Sequence, residues 1–116
     1  MPAMDQMDVE QQPSRVADVT VFRLKGPFTL STMFAFQESL REPALKGTII
    51  DLSGVPYMDS AGLGVLLGQF AHTQRNGGKF ALVGISQRVR TIFEITHTDE
   101  VLPIFATQAD AEDKLG

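Results

Sequence analysis

The sequence contains no cysteine, no tryptophan and only one tyrosine among its 116 residues. The absence of cysteine excludes disulfide bonds, thiolate catalysis and most structural zinc sites. Basic residues are also scarce, since 10 Lys and Arg stand against 14 Asp and Glu, for a net charge of −4. Such a chain, without a basic cluster, is poorly suited to the phosphate backbone of nucleic acids. We therefore expect no nucleic-acid partner, no metal site and no cofactor.

Long apolar runs and export signals are absent too. The first residues carry acids, with neither the basic start nor the apolar core of a secretory signal. The longest stretch without charge, residues 60–74, is too short and too polar to cross a bilayer. These features predict a cytoplasmic protein that does not interact with membranes.

Strands and helices are predicted to alternate along the chain. We expect a flexible polar arm over residues 1–15, with an added edge strand near Val16 as an alternative, and one domain over residues 16–116. Runs of β-branched and aromatic residues predict strands over 18–25, 47–52, 79–83 and within 101–105. Helical spacing and capping residues predict helices over 31–41, over 60–74, from Ser86, and from Thr107 or Asp110. This order indicates an α/β fold in which about four helices pack on a small mixed sheet of four or five strands.

The first predicted helix is expected to begin at Ser31 as its cap. Its buried side is expected to consist of four apolar residues, Met33, Phe34, Phe36 and Leu40. In the strand over 47–52, Ile49 and Ile50 are consecutive, which indicates a strand covered on both faces.

The stretch from Asp51 to Gly68 is the most informative part of the sequence. It passes from a strand end through a loop to Asp59 and Ser60, which open the second helix. Either side chain is a sound N-cap, because its oxygen accepts a hydrogen bond from an unpaired amide. A hydroxyl at a helix N-terminus is also a place that tolerates a phosphate group. Ser60 is therefore either a structural cap or a phosphorylation switch.

A response-regulator receiver is an alternative interpretation of the same stretch. Asp51 at a strand end, followed by Pro56 and then Asp59, approximates the arrangement around a phosphoaccepting aspartate. The preceding strand ends in LKGP, without the acidic pair that holds Mg²⁺ in receivers. This hypothesis predicts an acid-labile acyl phosphate on Asp51.

Three segments together resemble the STAS domain, found in anti-sigma factor antagonists and in the cytoplasmic tails of sulfate transporters. They are DLSGVPYMDSAGLGVLLG, NGGKFALVG and RVRTIFEIT, and the resemblance covers roughly residues 16–114. It implies a small mixed sheet with helices mainly on one side. Because no membrane segment precedes the domain, we expect an antagonist, a binding protein that is not an enzyme.

In the antagonist branch, the resemblance implies that Ser60 is phosphorylated by an anti-sigma factor with serine kinase activity. The unphosphorylated form would bind that factor and free a sigma factor, and a separate serine phosphatase would restore binding. The partner-binding residues implied by position are Phe28, Thr29, Tyr57, Met58, Asp59, Ser60, Ala61, Gly62, Leu63 and Ser86. Among them, Phe28 is expected to be exposed in a turn.

One departure from the family pattern leaves a second function open. Many phosphorylatable members carry two acids in the segment that here reads Gly26-Pro27-Phe28-Thr29. Their absence is compatible with a constitutive scaffold, or an adaptor subunit of a larger complex, in which Ser60 is only a helix cap.

Overall fold

The computed structural model describes residues 6–42 and 46–116, which form a single sheet with helices on both faces. The sheet has the order β1-β2-β3-β4-β5, with β1 antiparallel to β2 and the other neighbours parallel. The strands are β1 Asp8–Pro13, β2 Val19–Lys25, β3 Gly47–Gly54, β4 Lys79–Val83 and β5 Ile104–Phe105. The helices are α1 Met33–Ser39, α2 Ser60–Arg75, α3 Gln87–Ile95 and α4 Gln108–Leu115, with a 3-10 turn at Thr98–Glu100. The predicted α/β fold with a mixed sheet is confirmed.

The core lies on both faces of the sheet, because alternate strand residues point to opposite sides. On one face Phe22, Ile50 and Leu82 pack in a large cluster with residues of α1, α2 and α3. On the other face Ile49 lies in a smaller cluster that includes Ala111 of α4. Three helices therefore cover one face and one covers the other, and the consecutive isoleucines of β3 are each fully buried.

Residues 8–13 of the predicted flexible arm form the edge strand β1, which ends at Pro13, before Val16. This strand pairs with β2 over six residues, from Asp8 opposite Lys25 to Pro13 opposite Thr20. An edge strand that leaves much of its surface in water needs few apolar side chains, so its composition resembles that of a loop. Residues 1–5 of the predicted arm lie outside the described residues.

The first helix is shorter than predicted, and its cap differs. It runs from Met33 to Ser39 after Thr32, whose side chain makes no cap hydrogen bond and instead donates to the Pro27 carbonyl oxygen over 2.7 Å. Phe36 is fully buried, whereas Phe34, expected in the core, is 62% exposed. A two-turn helix brings only one narrow stripe of side chains to the sheet, so neighbouring aromatic residues cannot all be buried.

The predicted starts of the last two helices are confirmed. The Ser86 hydroxyl oxygen accepts a hydrogen bond from the Val89 amide over 3.2 Å, and the Thr107 hydroxyl oxygen accepts from the Asp110 amide over 3.1 Å. Ser86 thereby fixes the start of α3 near the carboxyl end of β4.

A buried carboxylate on α4 holds the segment between β1 and β2. Glu112, whose side chain is only 7% exposed, accepts hydrogen bonds from the Ser14 hydroxyl over 2.6 Å and from the Arg15 amide over 3.1 Å. The Arg15 Nε atom lies 3.3 Å from Glu112 Oε1, and Gln108 also donates to this carboxylate. The Ser14 hydrogen bond in particular holds the pKa of Glu112 below its usual range, although burial opposes this effect.

We expect Glu112→Gln to lower the free energy of unfolding at neutral pH by about 1–3 kcal/mol, because buried donors lose a charged acceptor. Since the folded-state pKa is lowered, this stabilisation is present above about pH 4.3, the ordinary glutamate value, and is lost as pH falls further. Urea unfolding at several pH values tests this. Asp113→Asn is the control, because Asp113 is largely exposed and pairs with the half-exposed Arg15. A variant as stable as wild type at pH 7 would contradict the prediction.

Candidate partner-binding site

The loop that precedes α1 lies directly against the segment that precedes α2. The Phe28 amide donates to the Tyr57 carbonyl oxygen over 3.1 Å, and the Asp59 amide donates to the Phe28 carbonyl oxygen over 3.2 Å. Phe28 and Met58 thus form a short parallel bridge. This pairing brings residues from two distant parts of the chain to one edge of the molecule.

Asp59 caps α2 and fastens the loop to it. Its Oδ1 atom accepts from the Gly62 amide over 3.0 Å, and its Oδ2 atom accepts from the Leu30 amide over 3.1 Å. Partial burial raises the pKa of Asp59, but the backbone hydrogen bonds outweigh it and hold the pKa below its usual range. Asp59 is therefore the cap, and the interpretation of Ser60 as a structural cap is wrong.

Ser60 is the first residue of α2 and its side chain is exposed. Its hydroxyl group makes no hydrogen bond with any residue in the described ranges 6–42 and 46–116. The hydroxyl is consequently free to react, and its modification would remove no hydrogen bond from the described fold.

Exposed apolar side chains surround the beginning of α2. Leu30 is 61% exposed in the loop fastened by Asp59, and Tyr57, three residues before Ser60, is 40% exposed. The guanidinium carbon of Arg88, at the start of α3, lies 5.3 Å from the centroid of the Tyr57 ring, within the range of a cation–π contact. We call Leu30, Tyr57, Ser60 and Arg88 the Ser60 face.

The structure brings the sequence-predicted site residues together but buries several of them. Phe28 is fully buried, with its ring 5.7 Å from that of Phe36 in an edge-to-face contact, so the expectation that it is exposed is wrong. Its backbone pairs with the α2 segment, and its side chain turns inward as a result. Met58, Gly62 and Leu63 are also buried, Thr29, Asp59, Ala61 and Ser86 are half-buried, and Tyr57 and Ser60 are exposed.

Two residues of the Ser60 face, Leu30 and Arg88, were missed from the sequence. Leu30 lies just before the first predicted helix, and Arg88 is far away in sequence. Phe34, which the sequence placed in the core, is exposed. A signal for Phe34 was present, because Met33, Phe34 and Phe36 cannot all face the sheet from one short helix. No local signal indicated Leu30 or Arg88, whose positions depend on tertiary pairing.

The surroundings of Asp51 do not fit the receiver hypothesis. Asp51 Oδ1 accepts hydrogen bonds from the Ser53 amide and hydroxyl over 2.9 and 2.7 Å, and Oδ2 lies 3.5 Å from Arg23 Nε. Among the residues that the structure describes, no group of three or more acidic or histidine side chains is placed to hold a metal ion. Asp51 thus faces an arginine rather than a second carboxylate.

We expect Asp59→Ala to lower the free energy of unfolding by about 1–2 kcal/mol, because the N-cap bond to Gly62 is lost together with the bond to Leu30. Urea unfolding measures the loss. The neighbouring Ser60→Ala is the control, with a change of less than about 0.5 kcal/mol expected for an exposed side chain without partners. Equal losses in the two variants would show that Asp59 is not the cap.

Known proteins match both the sequence and the structure. Residues 6–111 match the family model of the STAS domain. An anti-sigma-B factor antagonist from Listeria monocytogenes is 42% identical over 55 residues, which are 47% of this chain and 48% of that protein. The aligned part thus spans about half the length of this curated relative.

Solved structures share the fold over almost the whole chain. An anti-sigma factor antagonist from Mycobacterium paratuberculosis superposes with a TM-score of 0.85 at 21% identity, covering 99% of this chain and 98% of that one. The unphosphorylated form of the anti-sigma factor antagonist SpoIIAA gives a TM-score of 0.71 at 22% identity, with 92% and 95% coverage. No helix in the described part of the chain is both long and apolar enough to cross a membrane.

Proposed function

The chain belongs to the STAS domain family, and from this premise we propose that it is an anti-sigma factor antagonist controlled by phosphorylation of Ser60. The unphosphorylated protein binds an anti-sigma factor through the Ser60 face, and phosphorylation ends that binding. The observation that carries the proposal is the exposed Ser60 hydroxyl, without a hydrogen-bond partner in the described structure and next to exposed apolar side chains.

Because Asp59 and not Ser60 caps α2, Ser60 is better suited to a switch than to a structural role. Asp59 supplies the cap hydrogen bonds, so a phosphate on Ser60 leaves the start of α2 intact. The phosphate adds about −1.5 to −2 charge units beside an ionised carboxylate. A partner that covers Leu30 and Tyr57 would have to remove water from the phosphate. The cost of this desolvation, together with the repulsion between the phosphate and Asp59, would release the partner.

The loop over residues 26–29 lacks the two acids that many phosphorylatable members of the family carry, and this changes the surface offered to the partner. Here the loop is held by hydroxyl groups, since the Thr32 hydroxyl donates to the Pro27 carbonyl oxygen and accepts from the Thr29 amide over 2.9 Å. The loop thus presents Leu30 without a carboxylate of its own between residues 26 and 32. We infer a partner surface that is more apolar than charged opposite this loop.

The remaining partners follow from the same proposal. The anti-sigma factor acts as the serine kinase, and a separate serine phosphatase restores the active form. The chain itself is the substrate of these enzymes, uses no cofactor and acts in the cytoplasm, where sigma factors act. The alternative of a constitutive scaffold is weakened, because it assigns to Ser60 the cap role that Asp59 performs.

Phosphate mapping on the protein purified from its own host tests the proposal. We expect an acid-stable phosphate on Ser60 by mass spectrometry, and none on the Ser60→Ala variant expressed in the same host. Incubation with ATP and the anti-sigma factor that co-purifies with the wild-type protein is expected to add the same phosphate. If Ser60 stays unmodified in both experiments, the scaffold function replaces the switch.

A further inference from the structure

A groove that runs along α2 from Ala61, the residue after Ser60, has no assigned role. It is a half-open groove of about 1130 Å³ between α1 and α2, slightly above the range of about 300–1,000 Å³ that is usual for small-molecule sites. Its α2 wall is formed by Ala61, Gly64, Val65 and Gly68 at helical spacing. An added Cβ atom at Gly64 or Gly68 would meet no other atom within 4 Å, so these glycines leave open space beside the helix.

The floor of the groove contains a buried polar group that is not satisfied. Thr48 of β3 lines the groove, is only 1% exposed, and its hydroxyl finds no hydrogen-bond partner among the described residues. Burial of a hydroxyl group without a partner is unfavourable by about 1–3 kcal/mol. A rotation of about 120° around χ1 moves the threonine hydroxyl to another staggered position, from which it can reach a ligand in the groove.

Charged residues line one end of the groove, where Arg41 pairs with Glu38 over 3.4 Å. Arg41, Glu42 and Lys46 line it, and Lys46 has no ion-pair partner among the described residues. Lys46 precedes Thr48 by two residues, which places a cation and the unsatisfied hydroxyl at the same end of the groove. Met33 of α1 and Leu40, which directly follows this helix, are apolar residues that also line the groove.

We propose that this groove binds an aliphatic carboxylate. Its carboxylate group lies at Lys46 and Thr48, and its hydrocarbon chain lies along the glycines of α2 toward Ala61. The α2 wall from Ala61 to His72 is about 16 Å long at the helical rise of about 1.5 Å per residue, which suits a medium-length chain. This inference does not depend on Ser60 or on a partner protein.

The test is a titration of the isolated protein with decanoate, followed by the chemical shifts of its backbone amides. We expect saturable shifts at Thr48, Gly64 and Gly68. Butyrate, which has the same carboxylate and little chain, is expected to bind at least tenfold more weakly. Shifts that do not saturate, or that saturate away from the groove, would overturn the proposal.

Variants of α2 distinguish binding of decanoate in the groove from its adsorption elsewhere on the protein surface. Gly68→Leu fills the open space and is expected to weaken decanoate binding at least tenfold, whereas Ala71→Leu adds a leucine to an exposed position of α2 outside the groove and is expected to change nothing. Gly64→Leu repeats the test if Gly68→Leu fails to fold. Equal binding by the groove and control variants would contradict the proposal.

Two further variants test the head-group assignment. Lys46→Gln is expected to weaken decanoate binding about threefold to tenfold and to leave the binding of decanol unchanged. Thr48→Val removes the hydroxyl with little change in volume. It is expected to weaken the binding of decanoate and of decanol by about threefold each, because each ligand loses one hydrogen bond. If neither variant alters decanoate binding, the assignment of the carboxylate is wrong.

Discussion

Gly62→Ala is expected to lower the free energy of unfolding by about 2–3 kcal/mol, because α2 begins too close to the preceding loop for any side chain. An added Cβ atom would stand 2.5 Å from the Phe28 carbonyl oxygen and 2.8 Å from the Met58 Cγ atom. The first neighbour is backbone that already accepts a hydrogen bond from Asp59, so it cannot withdraw without loss. Urea unfolding of the variant measures the effect.

The matched control lies two residues further along the same helix. Gly64→Ala adds the same methyl group where nothing lies within 4 Å, and is expected to stabilise the protein by about 0.5–1 kcal/mol through helix propensity. Opposite signs for the two variants would show that the close approach, rather than helix propensity, requires glycine at position 62. A Gly62→Ala protein as stable as wild type would show that the loop yields easily.

Ser60→Asp is expected to weaken binding to the anti-sigma factor more than tenfold, equivalent to at least about 1.4 kcal/mol. The introduced carboxylate stands beside Asp59, and the partner must cover both charges when it contacts Leu30 and Tyr57. Isothermal titration with the anti-sigma factor that co-purifies with the wild-type protein measures the change.

Two controls separate charge at the site from charge in general. Ser60→Ala is expected to bind the anti-sigma factor as tightly as wild type, since no hydrogen bond of the described structure depends on the hydroxyl. Addition of ATP is expected not to release this variant from the anti-sigma factor, because it lacks the hydroxyl that would be phosphorylated. Gln74→Glu places one negative charge at an exposed position near the other end of α2 and is expected to leave the affinity unchanged. If Ser60→Asp binds like these controls, the electrostatic release mechanism is wrong.

The parts of the fold that sequence predicted well are those where burial fixes the pattern. The run over β4 and the consecutive isoleucines of β3 are apolar because both sheet faces are covered, and this leaves a strong local signal. The edge strand β1 leaves only a weak local signal in the sequence. Half of its backbone hydrogen-bonding groups and most of its side chains face water, so few of its residues have to be apolar. Its place in the sheet depends on pairing with β2, which no local window contains.

The candidate site divides in the same way. The start of α2 was placed correctly because Asp59 and Ser60 carry a capping pattern, yet the pattern left open which of the two is the cap. Phe28 was expected to be exposed and is buried, whereas Phe34 was expected to be buried and is exposed. For Phe28 the cause is tertiary, since the bridge between Phe28 and Met58 turns the Phe28 side chain inward. Burial in a loop depends on what the loop packs against, and that information is distant in sequence.

The five strands lie in the sheet in the same order in which the ribosome synthesises them. Each strand from β2 to β5 adds to the free edge left by the strand before it, so no later strand has to insert between two earlier ones. After β1 and β2 have paired, the sheet grows at one of its two edges and never has to open a completed ladder. The bonds from Ser14 and Arg15 to Glu112 join the segment after β1 to α4, so this segment gains these contacts only after α4 has been synthesised.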